Sequence, residues 1–234
     1  MTGRADVVRV FIGYDAKEEV AFHVLQRSIH ERSSLPVSVT PINLTQLRSV
    51  FTRERNPLQS TDFSFSRFLT PWLAGFEGWA LFLDCDMLMR ADIADLWKLR
   101  DPKFAVQVVK HDYVPKEDTK FLGAVQTKYQ KKNWSSVMLF NCAECRALTP
   151  EYVNTATGLE LHQFKWLGND NKIGEIPVTW NYLVGEYDHR PDVSLIHYTL
   201  GGPYFDDYRD CDYAAEWFRE REQLSNVKQR AEVN

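Results

Sequence analysis

An apolar run that ends on two aspartates constrains the fold of this chain more than any other feature. The run Trp79–Leu83 has the length and composition of a buried strand, and Asp84-Cys85-Asp86 follows it directly. Alternate side chains of extended backbone share a face, so we expect Asp84 and Asp86 on one face and Cys85 on the other. Two carboxylates at the end of a buried strand need compensation, either from Mg²⁺ or Mn²⁺ or from the N–H groups of a helix that they cap. Taken by itself, the motif leaves both interpretations open.

Strand-like and helix-like patterns alternate along the chain, which predicts an α/β fold. The predicted strands cover residues 7–12, 36–40, 79–83, 104–109 and 137–140, and the predicted helices cover 16–31, 66–75, 93–99 and 149–166, with a last helix capped by Asp212. We expect the polar stretch 43–66 to form a flexible loop over a site and 111–133 to be mobile. Such an order favours a largely parallel sheet with ligands at the carboxyl ends of its strands. Neither a G-x-G-x-x-G nor a Walker-type loop is present, which weakens a dinucleotide oxidoreductase or an NTPase.

A second polar group follows a strand near the other end of the chain. Ser194-Leu195-Ile196 leads into His197, and Gly201-Gly202 follows four residues later. Histidine is a common metal ligand, although a strand-end histidine is often only packed or hydrogen-bonded. Paired glycines either let backbone N–H groups approach an anion or form a tight turn before Pro203. The combination with Asp-x-Asp favours a metal site made of Asp84, Asp86 and His197.

Composition is that of an ordinary soluble enzyme. The net charge of −4 argues against a nucleic-acid surface, and no window has the apolar length of a transmembrane segment. The polar N-terminus does not resemble a signal peptide, so we expect a cytoplasmic enzyme or a trimmed chain. The single C-x-x-C, Cys142 to Cys145, lacks the second pair of a zinc site, and we interpret it as incidental thiols.

The order of these segments resembles the metal-dependent glycosyltransferases of the glycogenin and bacterial lipooligosaccharide galactosyltransferase type. The segments are Val10-Phe11-Ile12-Gly13-Tyr14-Asp15, Phe63–Phe68, Leu81–Asp86, Ser135–Asn141, Leu161-His162-Gln163-Phe164 and His197–Tyr204. The resemblance runs along most of the chain and implies the GT-A fold, a Rossmann-like, mostly parallel but mixed central sheet flanked by helices. It implies a single domain over residues 1–234, with a nucleotide-binding half at 1–110 and an acceptor-side half at 111–234.

The resemblance also implies a function and a set of site residues. A UDP-sugar would donate its sugar to a saccharide or glycoconjugate acceptor, with retention of anomeric configuration. Mn²⁺ (or Mg²⁺) would be held by Asp84, Asp86 and His197. The other implied positions are Phe11, Gly13, Tyr14, Asp15 and Cys85 at the nucleotide, Gly201 and Gly202 at the diphosphate, and His162 and Gln163 as catalytic residues facing the transferred sugar.

The chain departs from the family pattern in several places. The family's lysine before Pro-Trp has no counterpart before Pro203, and we expect Arg67 to meet the diphosphate instead, unless it forms an ion pair. His162 replaces an aspartate, which leaves sugar identity open, and His162 and Gln163 also fit an ordinary helix face. Asp15 equally fits a helix cap. Trp180, Asn181 and Tyr204 fit either the acceptor side or core packing, and Trp134-Ser135-Ser136 replaces a small Asn-Ala-Gly turn.

Two other functional classes remain as alternatives. Haloacid-dehalogenase-like phosphatases also place Asp-x-Asp after an apolar strand, with the first aspartate as nucleophile. Those phosphatases usually have Thr or Val two residues after the second aspartate, where this chain has Leu88. His197 also has no role in their mechanism. A non-catalytic carbohydrate-binding protein accounts for the many aromatic residues but gives no reason for two carboxylates and a histidine to converge.

Overall fold

The computed structural model describes residues 6–55, 59–112, 122 and 130–225. Its strands are β1 (Val8–Gly13), β2 (Val37–Ile42), β3 (Trp79–Leu83), β4 (Met87–Met89), β5 (Val106–Val108), β6 (Val137–Asn141), β7 (Ile173–Glu175), β8 (Tyr182–Leu183) and β9 (Leu195–His197). Its α-helices are α1 (Glu19–Arg32), α2 (Thr70–Leu73), α3 (Ile93–Lys98), α4 (Pro150–Thr155), α5 (Gly158–His162) and α6 (Ala214–Ser225). Within these described ranges, no helix is both long enough and apolar enough to cross a membrane.

The main sheet has six strands in the order β2-β1-β3-β6-β5-β7. β1 runs parallel to β2 and β3, and β7 runs parallel to β5. β6 runs antiparallel to both of its neighbours, β3 and β5. Strands and helices alternate along the chain and most neighbouring strands are parallel, so the predicted mixed α/β architecture is confirmed.

Burial along each strand follows its place in this sheet. β1 and β3 lie in the interior of the sheet and are buried along nearly their whole length, as continuous apolar runs predict. β2 lies at the edge and alternates between exposed and half-buried residues. Proline has no backbone N–H to donate to a neighbouring strand. Pro41 is tolerated in β2 because an edge strand has a neighbour on one side only.

A second, three-stranded sheet brings the histidine strand to the aspartates. Its order is β4-β9-β8, and Met87 of β4 pairs with His197 of β9. Since β4 begins immediately after Asp86, this pairing places His197 beside the Asp-x-Asp segment. The sheet packs on an aromatic cluster that includes the fully buried Trp217 of α6. Glu220 of α6 also pairs with two arginines of α1, with 2.9 Å between Arg32 Nη2 and Glu220 Oε2.

Several sequence predictions need correction. The predicted helix 149–166 is wrong, because α4 ends at Thr155 and a new helix, α5, begins at Gly158. The predicted helix at 66–75 is a 3₁₀ turn, Ser66–Leu69, followed by the single turn of α2. The last helix begins at Ala214, after Tyr213 in a left-handed backbone conformation (φ 61°). The predicted mobile segment 111–133 falls largely outside the described residues.

The break between α4 and α5 has a local cause in a capping box. The Thr157 side chain accepts a hydrogen bond from the Glu160 N–H at 3.1 Å, and the Glu160 carboxylate accepts one from the Thr157 N–H at 2.7 Å. This reciprocal pair satisfies N–H groups that the first turn of a helix otherwise leaves without partners. The T-x-x-E pattern from Thr157 to Glu160 therefore starts a new helix inside the segment predicted as one continuous helix.

Replacing Thr157 with alanine removes half of this capping box. We expect Thr157→Ala to lower the free energy of unfolding by about 1 kcal/mol, the usual cost of losing an N-cap side chain. Thr155→Ala is the matched control, because Thr155 is also exposed but lies at the end of α4 and caps no helix start. Urea unfolding of the three proteins measures the difference. Equal stability of the two variants would contradict the role given to Thr157.

Candidate metal centre

The ends of three strands bring Asp84, Asp86 and His197 together. One potential ligand atom from each lies within 4.8 Å of the others, and all three residues are buried. His197 Nε2 is 3.4 Å from an Asp86 carboxylate oxygen and 4.0 Å from one of Asp84. The backbone holds the segment in place, because the Asp84 N–H donates to Ser136 O and the Tyr198 N–H donates to Asp86 O. Cys85 is fully buried in the main core.

Asn181 fixes which nitrogen of His197 faces the carboxylates. The Asn181 amide nitrogen donates to Asn133 O at 3.1 Å and to Ser136 Oγ at 2.9 Å. A backbone carbonyl can only accept, so the amide oxygen must be the atom 2.9 Å from His197 Nδ1. His197 Nδ1–H therefore donates to Asn181, and Nε2 is the ring nitrogen that faces Asp84 and Asp86. An imidazole nitrogen and two carboxylates are a suitable ligand set for a divalent cation.

Arg67 carries the charge nearest to the first aspartate. Its guanidinium forms a buried ion pair with Asp84 at 2.8 Å and donates to Ser135 O at 2.9 Å. It also lies 5.3 Å and 5.2 Å from the ring centres of Phe63 and Phe82. Of the two roles considered for Arg67, the structure contains the ion pair, and this pair is buried. A role at the diphosphate stays a prediction.

Glu18 adds a further buried carboxyl beside the cluster. Tyr204 Oη donates to Glu18 Oε1 at 2.6 Å, which joins the turn after β1 to the loop after β9. Glu18 Oε2 is buried with no hydrogen-bond partner among the described residues. Burial raises the pKa of Glu18 well above its usual range, and the charge of Asp86 adds to this effect, while the Tyr204 hydrogen bond opposes it. The ionised form of Glu18 is therefore disfavoured.

The two predicted catalytic residues lie at the end of α5. His162 Nδ1 is 2.8 Å from Ser135 Oγ, and its ring packs edge-on against Phe68. Burial lowers the pKa of His162 to about 3, with the charge of Arg67 acting in the same direction, so the imidazole is neutral. Gln163 ends α5, and its backbone oxygen accepts a hydrogen bond from Lys131 at 2.9 Å. His162 has the packing of a core residue, and its role at the transferred sugar stays a prediction.

The residues at the end of β1 have structural roles that the sequence left open. One Asp15 oxygen caps the next turn by accepting from the Lys17 N–H at 2.9 Å, and the other accepts from the Asp62 N–H at 3.0 Å. A Cβ atom on Gly13 would lie 2.3 Å from the Phe63 ring, so only glycine fits there. Phe11 is buried in the main core, and Tyr14 Oη donates to Glu19 at 2.9 Å. Contact of these residues with a nucleotide stays a prediction.

The paired glycines form a turn. Gly201 has a φ of 148°, a conformation that favours glycine, and its N–H donates to Tyr198 O at 2.9 Å. A Cβ atom on Gly202 would lie 2.2 Å from the Tyr204 ring. The turn interpretation accounts for both residues, and their contact with a diphosphate stays a prediction.

Two residues of the site were missed or misplaced from the sequence. Asn181 was assigned to the acceptor side or the core, but the structure places it behind His197 as its hydrogen-bond partner. Trp180 is a core residue. Glu18 was not recognised at all, because a glutamate in the first turn of a helix is common and only its burial makes it unusual.

Comparison with known proteins gives a close relative in sequence. Protein CDI of Arabidopsis thaliana is 48% identical over 235 residues, which cover 97% of this chain and 90% of CDI. The chain belongs to the family of Protein CDI. A scan against protein-family models matched none of them. The name of CDI does not state an activity, so membership of this family does not by itself assign a function.

Solved structures establish the fold. The galactosyltransferase LgtC, in complex with donor and acceptor sugar analogues, has a TM-score of 0.62 at 13% identity, with 95% of this chain and 98% of LgtC covered. The bifunctional glycosyltransferase WbbM has a TM-score of 0.64 at 15% identity, and the chain spans about half, 51%, of its length. GlyE of Streptococcus pneumoniae TIGR4 has a TM-score of 0.60 at 14% identity, with 60% of GlyE covered. These likenesses confirm the GT-A fold.

The Asn181 contact predicts a loss of metal affinity when it is removed. We expect Asn181→Leu to weaken Mn²⁺ binding about 10- to 100-fold, because His197 loses the hydrogen bond that orients its ring. Isothermal titration with Mn²⁺ measures the change, and thermal unfolding checks that the variant folds. The exposed Asn171 provides the matched control, Asn171→Leu, which should bind Mn²⁺ as the unmodified protein does. Unchanged affinity in a folded Asn181→Leu protein would contradict this role.

The raised pKa of Glu18 predicts a pH-dependent stability. The folded protein holds the Glu18 proton more tightly than the unfolded chain, so the contribution of Glu18 is fully present below its unfolded pKa and is lost as pH rises through the folded pKa. Glu18→Gln keeps an acceptor for Tyr204 and cannot ionise. We therefore expect the metal-free variant to gain about 1 kcal/mol, roughly 2–4 °C in Tm, at pH 8 and much less at pH 5.

The control for this measurement is an exposed carboxylate. Glu175→Gln, on the edge strand β7, should leave the midpoint of thermal unfolding nearly unchanged at both pH values. A Glu18→Gln protein that is equally stabilised at pH 5 and pH 8 would show that ionisation of Glu18 is not the cause.

Proposed function

We propose that this protein is a glycosyltransferase that moves a sugar from a UDP-sugar donor to a saccharide or glycoconjugate acceptor with the help of a divalent cation, Mn²⁺ or Mg²⁺. The observation that carries the proposal is the convergence of Asp84, Asp86 and Nε2 of His197 at the carboxyl end of β3. That edge of the sheet is where open α/β folds bind ligands. WbbM and LgtC, whose folds are similar to that of this chain, are themselves glycosyltransferases, which supports the same chemistry here.

The chemistry of transfer explains why a cation is needed. When the sugar leaves its nucleotide, negative charge develops on the departing diphosphate. A divalent cation at Asp84, Asp86 and His197 would offset that charge as a Lewis acid. The chain's own contribution is a rigid, buried ligand set, in which Arg67 holds Asp84, Asn181 orients His197 and the backbone fixes both aspartates.

The donor is assigned to residues 1–110 and the acceptor to residues 111–234. The end of β1, with Phe11 and Gly13, lies beside β3 in the sheet. Together with Tyr14 and Asp15 of the following loop and the backbone at Cys85, it would hold the nucleotide. The Gly201-Gly202 turn follows His197 and would face the diphosphate. On this proposal Gln163 faces the transferred sugar, and retention of anomeric configuration follows from attack on the face that the diphosphate leaves.

His162 takes a positioning role in this proposal. It is neutral, and it is hydrogen-bonded to the turn that also receives Arg67. Its imidazole therefore supports the backbone next to the metal centre and supplies no charge there.

Removal of one aspartate tests the function. We expect Mn²⁺ and UDP together to raise the midpoint of thermal unfolding by several degrees and Asp86→Asn to abolish this response, because the cation loses a ligand. Asp95→Asn is the matched control, since Asp95 is exposed on α3 and pairs with Lys98. The same proteins should hydrolyse UDP-sugars slowly in the presence of Mn²⁺, except for Asp86→Asn.

Two results would redirect the assignment. Release of phosphate from simple phosphomonoesters, without stabilisation by UDP, would favour the phosphatase. Saccharide binding with no response to Mn²⁺ or UDP would favour a carbohydrate-binding protein.

A further inference from the structure

A cavity of about 400 Å³ lies beside the metal centre and is not used by the proposed donor site. It is lined by Lys110, His111, Asp112, Gln130, Lys131, Lys132 and Trp134. Its volume is within the range of small-molecule sites. Its walls combine one large aromatic ring with charged and amide groups. An aromatic ring can pack on the apolar face of a sugar ring, and the polar groups can hydrogen-bond to its substituents.

The cavity adjoins the residues that the transfer reaction would use. Lys131 Nζ donates to the backbone oxygen of Gln163 at 2.9 Å. Asn133, between Lys132 and Trp134, donates through its side chain to Thr199 Oγ1 at 3.3 Å, two residues after His197. The cavity thus lies on the acceptor-side half, between the proposed sugar-facing amide and the histidine strand.

The indole ring of Trp134 is held in one orientation within this wall. Its Nε1–H donates to His111 O at 2.9 Å, and both Lys110 Nζ and Lys131 Nζ lie 5.9 Å from the ring centre. A fixed aromatic face packs well against the C–H groups of a sugar ring. The ammonium groups of Lys110 and Lys131 lie over the same ring, close enough to reach an anionic substituent of a sugar held there.

Charge in the lining is predominantly positive. Of the described lining residues, three are lysines and one, Asp112, is a carboxylate. Lys131 also pairs with Asp170 at 2.7 Å. His111 adds no charge, because burial first and the neighbouring His197 second lower its pKa to about 3. A positive cavity in a chain with a net charge of −4 is a local feature that overall composition does not explain.

We propose that this cavity is the acceptor subsite and that the acceptor carries an anionic group on its sugar ring, either the carboxylate of a uronic acid or a phosphate ester. This inference rests on the proposed function, because only a glycosyltransferase has an acceptor subsite. Trp134 packs on the sugar ring, and Lys110, with Lys131, binds the anionic group. Lysine binds carboxylate and phosphate as a point charge, so both sources of the anion fit the same wall.

Direct binding to the full chain tests this proposal without any transfer reaction. Saturation-transfer difference NMR would compare methyl glucuronoside, methyl galacturonoside and glucose 6-phosphate with methyl glucoside and methyl galactoside, and inorganic phosphate would be added as a competitor. We expect the anionic sugars to bind and the neutral sugars to bind at least tenfold more weakly. The better ligand of the uronate and phosphate pair identifies the source of the anion.

Two lysines at opposite ends of β5 provide a matched pair of variants. Lys110 follows β5 on the cavity side, whereas Lys103 precedes it and is exposed. We expect Lys110→Gln to weaken binding of the anionic sugars about tenfold, as the loss of a hydrogen bond to a charged group does, and Lys103→Gln to leave it unchanged. Thermal unfolding checks that both variants fold.

Several outcomes would overturn the inference. Equal binding of neutral and anionic sugars, or equal effects of the two lysine variants, would remove the anionic class. Competition by inorganic phosphate as strong as that by glucose 6-phosphate would show an anion site that does not recognise sugar. Absence of saccharide binding in a protein that still binds UDP with Mn²⁺ would overturn this inference only, whereas loss of both would also overturn the proposed function.

Discussion

The structure depends on the compensation of negative charge at one edge of its main sheet. Asp15, Glu18, Asp84 and Asp86 are all buried there, and a buried carboxylate is costly unless it is paired or neutralised. Each has a different solution. Asp15 accepts two backbone hydrogen bonds, a raised pKa disfavours the ionised form of Glu18, and Asp84 has the guanidinium of Arg67. The remaining charge of the aspartate pair faces Nε2 of His197, which is the environment that a divalent cation would complete.

The turn Trp134–Ser136 connects the parts of this site. Ser135 receives Arg67 on its backbone oxygen and His162 on its hydroxyl, while Ser136 receives the Asp84 N–H and the Asn181 amide. Since β6 begins directly after this turn and runs antiparallel to β3, the turn lies at the edge where β3 ends. The two serine hydroxyls hold His162 and Asn181, whereas Arg67 and the Asp84 N–H bind backbone oxygens of the same turn. Trp134, at the start of the turn, then forms the wall of the neighbouring cavity.

Local patterns predicted the elements well where one signal dominated. The bounds of β3 are those predicted, and the buried face of α1 includes the predicted Ala21, Val24, Leu25 and Ile29, because apolar periodicity is strong there. The helix predicted at 149–166 failed because apolar residues continue at helical spacing through a break. The capping signal at Thr157 and Glu160 decides the backbone there, since it satisfies the N–H groups of a new helix start.

The sequence by itself determined the α/β architecture and the Asp-x-Asp segment at the end of a buried strand, because residue type and local spacing carry that information. It offered His197 as a partner of the aspartates through the family resemblance, and strand pairing brings the two segments together. Only the tertiary structure decided that Arg67 pairs with Asp84, that Asn181 orients His197 and that Tyr204 reaches Glu18, 186 residues away. These contacts join side chains from different elements. Their partners are set by strand pairing and by the direction in which each side chain leaves the backbone, and neither is encoded in the spacing of residues along a single element.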